Sequence, residues 1–139
     1  MAEVVGISDG DTITVLDATR PQHKIRLAGI DAPEKRQAFG NVSKQNLARM
    51  VFNREVTIDW DKRDRYGRPV GKVLLEGNDI CIRQIEEGLA WHFKKYESEQ
   101  PAMDRGAYSR AESDARAARV GLWRDPHPVP PWEFRRPSR

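Results

Sequence analysis

The chain has 139 residues, 38% hydrophobic and 32% charged, which suits one domain with its own core better than two too small to bury much apolar surface. Lys and Arg exceed Asp and Glu by 24 to 21, so a polyanionic partner is plausible; no apolar run approaches the roughly 18–20 residues a membrane span needs, so no membrane partner is expected. Cys81 is the sole cysteine, which excludes an internal disulfide and reads as a small buried thiol. The charge is uneven: Lys35, Arg36, Lys44, Arg49 and Arg54 face one acid between residues 35 and 55, and from Arg105 to the end eight arginines face four acids.

"EVVGIS" (3–8) is rich in β-branched residues and runs into Asp9-Gly10, after which "TITVLD" (12–17) alternates with the period of a half-buried strand, predicting a hairpin. "HKIRLAGI" (23–30) sets Ile25 and Leu27 on one face and Lys24 and Arg26 on the other. Val42, Leu47, Met50 and Val51 predict an amphipathic helix over 41–52, capped by Asn41 or Ser43. "EVTIDWD" returns to strand, "RDRYGR" is a charged turn built on Gly67, and "PVGKVLLEG" is a fifth strand. Ile82, Ile85 and Leu89 predict a second helix ending near Gly88. A third is expected over 104–119 on the stripe Tyr108, Ala111, Ala115 and Ala118, with Gly121 as its stop.

Trp60, Trp91 and Trp123 read as core or edge packing, and no internal repeat is present. The five-proline tail "RDPHPVPPWEFRRPSR" is not expected to be helical; it is an extended arm or a strap docked through Trp132 and Phe134. The division is a domain over 3–124 and a Pro/Arg-rich tail over 125–139. Five strands, one helix before the fourth and two helices after the fifth suit an α+β fold around a five-stranded OB-type barrel.

Three segments combine charge with turn residues at strand ends: "SDGDT" (8–12), "RLAGIDAPE" (26–34) and "DRYGR" (64–68). They offer Asp9, Asp11, Asp31 and Glu34 as oxygen ligands or bases, and Arg26 and Arg68 as bidentate phosphate donors. Carboxylates without a His or Cys cluster point to Ca²⁺ or Mg²⁺ rather than zinc or copper, and His23, His92 and His127 lack metal-ligand spacing. An EF-hand reading of "DGDT" fails, because the twelfth position from Asp9 is Arg20 where a bidentate Glu belongs. Taken singly, each segment has an ordinary meaning: a hairpin, an exposed strand arginine, a solvated turn.

Together, a D-G-D-T turn, an R-L-x-G-I-D-x-P-E segment and a D-x-Y-G-R loop, in this order, resemble the staphylococcal nuclease (thermonuclease) family over about residues 4–124. The resemblance implies a five-stranded OB barrel with three helices and a Ca²⁺-dependent nuclease that cleaves DNA and RNA, single strands included, with little sequence preference, leaving 3′-phosphate ends. It implies Asp11 and Asp31 as carboxylate ligands of the Ca²⁺, with the backbone carbonyl of Ala32 beside them and Asp9 supporting the site. Glu34 matches the carboxylate that activates or orients the attacking water, and Arg26 and Arg68 match the pair that clamps the scissile phosphate. Where the founding nuclease has two tyrosines near the nucleotide, "LAWHFKKY" offers Lys94 and Tyr96, which makes base stacking less expected than backbone contact.

The competing reading is a catalytically silent nucleic-acid-binding OB module; such domains lose some of these charged residues, and this chain keeps all of them. A purely structural Ca²⁺ domain leaves Arg26 and Arg68 unexplained. A monomer is expected. "MAEVVGI" has neither a charged n-region nor a long apolar segment; the family's bacterial members are often exported, so a secreted or periplasmic location with the leader removed is the expectation, and a cytoplasmic one the alternative.

Overall fold

In the computed structural model, which describes residues 1–136, the hairpin expected at Asp9-Gly10 joins β1 (Ala2–Asp9) to β2 (Thr12–Leu16), with Val4 opposite Val15 and Ile7 opposite Ile13. Residues 137–139, the end of the expected tail, lie outside the described residues. β3 (Gln22–Leu27) pairs with β2, β5 (Glu55–Arg63) with β1, and β6 (Pro69–Leu75) with β5, all antiparallel. A parallel seam, Arg26 beside Val70 and Leu27 beside Gly71, joins β3 to β6 and closes five strands into a barrel. The α+β, OB-like barrel anticipated from the strand pattern is therefore present.

Alternation along the strands fills the barrel: Val4, Ile13, Val15, Ile25, Leu27, Val56 and Val73 are buried, each contributing about 1.5–3 kcal/mol relative to exposure. Beyond the barrel, the two-residue β4 (Ile30–Asp31) pairs with β8 (Trp91–His92), and β7 (Asn78–Asp79) pairs with the end of β6. Such short strands carry no readable period. The β4–β8 ribbon is what fixes Asp31 opposite Trp91.

Three longer helices pack outside. α1 (Gly40–Val51) buries Ser43, Asn46, Leu47 and Val51, while Val42 is 49% exposed. The helix is thus rotated from the expected stripe, because two polar residues share the inward face and are paired there. Neither Asn41 nor Ser43 caps it. Phe39 stands at the cap in a left-handed conformation, and the Ser43 hydroxyl donates instead to Leu89 O at 2.7 Å.

α2 (Ile80–Glu86) is capped by Asp79, whose carboxylate accepts from Ile82 N. α3 (Ala102–Ala118) buries Tyr108, Ala111 and Ala115 as expected, but Glu112 replaces the exposed Ala118 on its inner face. Its stop is Arg119, left-handed at φ 53°, rather than Gly121. Gly121, also at positive φ, instead lets the chain pass Gly88, where Leu122 N donates to Gly88 O at 2.8 Å. Among the described residues no helix is long and apolar enough to cross a membrane.

A second apolar cluster, Trp91, Ala115, Leu122 and Trp123, lies beside the barrel core and is covered by Trp132 of the tail. The tail is a docked strap, and it does contain a helical turn, α4 (Pro131–Phe134): Pro131 sits at the first helical position, where its missing N–H costs nothing. Trp132 is its anchor; Phe134 is exposed. Trp91 and Trp123 are packing residues, whereas Trp60 is 45% exposed under the guanidinium of Arg63.

Candidate functional site

The Asp9-Gly10-Asp11 turn is held from three sides. Asp9 Oδ1 accepts from Asp11 N at 3.1 Å, Leu27 N donates to Asp11 O at 2.8 Å, and the buried Gln84 donates from Nε2 to Gly10 O at 2.8 Å. A Cβ on Gly10 would fall 1.9 Å from Ser43 Oγ, so the turn approaches α1 as closely as only glycine permits.

Asp11 is consequently buried and aimed inward. Its Oδ2 accepts from Ala32 N at 2.7 Å and its Oδ1 from the Thr12 hydroxyl at 3.1 Å. Arg26 Nη2 lies 3.5 Å from both Asp11 Oδ2 and Asp31 Oδ1, and its Nη1 donates to Leu27 O at 2.9 Å. One guanidinium therefore sits between two buried carboxylates contributed by the hairpin and the β4–β8 ribbon. Burial opposes the charge on Asp11, but Arg26 and the donors around it outweigh that cost and hold its pKa below the usual range. Asp9 is pushed the other way, up to about 7, first by burial and then by the Asp11 charge. Burial also raises Asp31, against the pull of neighbouring guanidinium groups.

Glu34 follows Pro33 at the start of a loop that folds back on itself, with Gln37 Oε1 accepting from Glu34 N at 3.1 Å and Gln37 N donating to Glu34 O at 2.9 Å. Its carboxylate is joined to Asp31 through a residue with no counterpart in the three motifs. Arg135 donates from Nη1 to Asp31 Oδ1 at 3.0 Å and from Nη2 to Asp31 Oδ2 at 2.6 Å, and its Nη1 is 3.7 Å from Glu34 Oε1.

Arg68 lies two residues ahead of Val70, the partner of Arg26 across the barrel seam. Asp64 organises its loop, with Oδ1 accepting from Tyr66 N and Arg68 N and Oδ2 accepting from Arg68 Nε at 2.7 Å. Despite partial burial, these donors hold the Asp64 carboxyl below its ordinary pKa. Lys94 is ion-paired, its Nζ 2.6 Å from Glu112 Oε1. Tyr96 is 46% exposed and meets Phe93 edge-on, with Lys62 and Lys95 above its ring.

Asp9, Asp11, Arg26, Asp31, Ala32 and, through Arg135, Glu34 are thus brought into one contiguous network, while Arg68, Lys94 and Tyr96 lie outside its contacts. The sequence reading missed Gln84, Glu112, Asp64 and Arg135. Asp64 stood inside a quoted motif; the other three carried no local signal.

Among the described residues no group of three or more His, Cys, Asp or Glu side chains converges as a metal cluster. Two buried carboxylates nevertheless suit a hard dication that keeps water or substrate oxygens as its remaining ligands. The guanidinium of Arg135 sets a positive charge against both oxygens of Asp31.

Residues 24–125 match the model of a family described as staphylococcal nuclease homologues, nearly three quarters of the chain. The chain belongs to the staphylococcal nuclease family. Protein ParB of Escherichia coli is 44% identical over 98% of this chain and 79% of its own length. A micrococcal nuclease of Shigella flexneri is 40% identical over 99% of this chain and 81% of its own, and the Arabidopsis thaliana staphylococcal-like nuclease CAN1 is 35% identical over 84% of this chain and 34% of its own. The staphylococcal nuclease family model ends at residue 125, but the Shigella alignment, at 99% coverage, runs on through the strap. Family membership and nuclease-named relatives together support a nuclease function for this chain.

Proposed function

We propose that this protein is a Ca²⁺-dependent nuclease that hydrolyses DNA and RNA with low sequence preference, single strands included, and leaves 3′-phosphate ends. The observation that carries this reading is the buried pair Asp11 and Asp31 bridged by Arg26, with Glu34 joined to Asp31 through Arg135.

Asp11, Asp31 and the Ala32 carbonyl would hold the cation, with Asp9 steadying the turn; once bound, it supplies positive charge that offsets the anion building on the phosphoryl oxygens. Glu34 accepts a proton from the attacking water as its oxygen bonds to phosphorus. The bond from phosphorus to the 5′ oxygen breaks, and the leaving oxygen takes a proton from solvent. Arg26 and Arg68 donate to the non-bridging oxygens, where such a donor contributes about 10²–10³ in rate. Lys94 and Tyr96 would flank the strand, Lys94 by charge once released from Glu112. Contacts of this kind go to phosphate rather than to base edges, which is the ground for a weak sequence preference.

Incubation with plasmid and with single-stranded DNA and RNA, in Ca²⁺ and then in excess chelator, tests the reading. Chelator-sensitive loss of all substrates with 3′-phosphate ends is expected, and Glu34→Gln should keep the fold and lose nearly all turnover. A gel shift without cleavage would overturn the reading in favour of a binding module.

A further inference from the structure

The strap reaches the site by a defined path. Leu122 and Trp123 anchor its start in the second apolar cluster, and the side-chain amide of Gln37 donates to Val129 O. Since Gln37 also accepts from Glu34 N, the strap and the Glu34 loop share one side chain. Pro131 is then buried, and Trp132 lies flat on Phe93, with ring centroids 5.6 Å apart and planes 8° from parallel, while meeting Trp91 edge-on at 5.4 Å. Three residues further on, on the same side of the helical turn, Arg135 takes both oxygens of Asp31. A cleft of about 450 Å³ beside this turn is lined by Phe93, Lys94, Lys95, Trp132, Glu133 and Arg136.

Two parts of the strap thus cover two different surfaces. Arg135 occupies the only carboxylate of the network that is wholly shielded from water, and Trp132 covers the flat face of an aromatic ring flanked by Lys94 and Lys95, the kind of platform on which a base stacks. A dication on Asp31 and a guanidinium on the same two oxygens exclude one another by space and by charge. The Arg135 side chain is 39% exposed, whereas Asp31 beneath it has no exposed surface while the strap is docked.

We propose that residues 126–136 are an autoinhibitory strap, in which Arg135 stands in for the cation on Asp31 and Trp132 covers Phe93 as a base would, and that a divalent cation expels Arg135 and frees both surfaces together. This inference rests on the reading of Asp11 and Asp31 as cation ligands given above.

Calcium titration by calorimetry of the full chain, of Arg135→Gln and of Trp132→Ala tests it, with circular dichroism as the check that each variant is folded. A strap open only about 1–10% of the time weakens apparent affinity by the inverse of that open fraction, so both variants should bind Ca²⁺ about 10- to 100-fold more tightly than the parent. Hydrogen exchange provides the second measurement: in the parent chain, saturating Ca²⁺ should deprotect the amides of Phe134 and Arg135, which donate within the turn to Pro130 O and Pro131 O. Equal affinities, or strap amides whose protection Ca²⁺ leaves unchanged, would overturn the strap mechanism and leave the metal site standing. No binding heat in any of the three proteins would overturn the metal reading, and the strap with it.

Discussion

Gln84 has no exposed surface, yet its amide joins three elements: Nε2 donates to Gly10 O at 2.8 Å and to Ser43 O at 3.1 Å, and Oε1 accepts from Asn46 Nδ2 at 2.8 Å. Gln84→Met keeps the length and flexibility of the side chain and removes both its donor and its acceptor. Gly10 O and Asn46 Nδ2 are then left without those partners in a dry interior, at about 1–3 kcal/mol each; Ser43 O lies inside α1, where the backbone ladder still supplies it a donor. The expected loss is about 2–6 kcal/mol, a large part of the roughly 5–15 kcal/mol by which a domain is stable. Urea unfolding followed by tryptophan fluorescence should show the midpoint falling by about 1–3 M, with an m-value of about 2 kcal/mol/M and no change in slope. A loss below about 1 kcal/mol would mean that water satisfies these groups, and the argument that Gln84 sets the hairpin turn would fail.

Gly10→Ala should destabilise by about 1–3 kcal/mol in thermal unfolding, because the new methyl lands on Ser43 Oγ and crowds the Cβ atoms of Ser43 and Ala32; an unchanged melting temperature would refute the clash. Burial, and next the Asp79 charge, push the Cys81 thiol up to about 12, so it stays protonated at pH 8; an aromatic disulfide reagent should react with it only on the timescale of unfolding, and labelling of the native protein at the denatured rate would contradict this. Asp64→Asn removes the charged partner of Arg68 Nε and should lower kcat about 10- to 100-fold through misplacement of that guanidinium, with the melting temperature little changed; unaltered kcat would show that Arg68 needs no such support.

What the strand pattern could carry was carried by period: Ile13 and Val15, Ile25 and Leu27, Val56 and Ile58 alternate, so the barrel followed. α1 was misread at Val42 because its inward face holds Ser43 and Asn46, and polarity hides burial when the partner, Gln84, is 38 to 41 residues away. The charged residues of the three motifs were recognisable because each motif is local. Arg135 was not, since its pairing with Asp31 spans 104 residues and nothing in "EFRRP" distinguishes one arginine from the next. Phe93 and Glu112 share that difficulty: what each does depends on what a later segment brings against it.

The barrel closes along only two residue pairs, and one of them contains Arg26. Any thermal fluctuation that unzips this seam parts Arg26, which stays beside Asp11 because Thr12 pairs with Arg26 across β2 and β3, from Arg68, two residues ahead of Val70, before the antiparallel hairpins have loosened. Hydrolytic competence should therefore vanish on warming ahead of bulk secondary structure, making turnover a finer thermometer of this molecule than its helical signal.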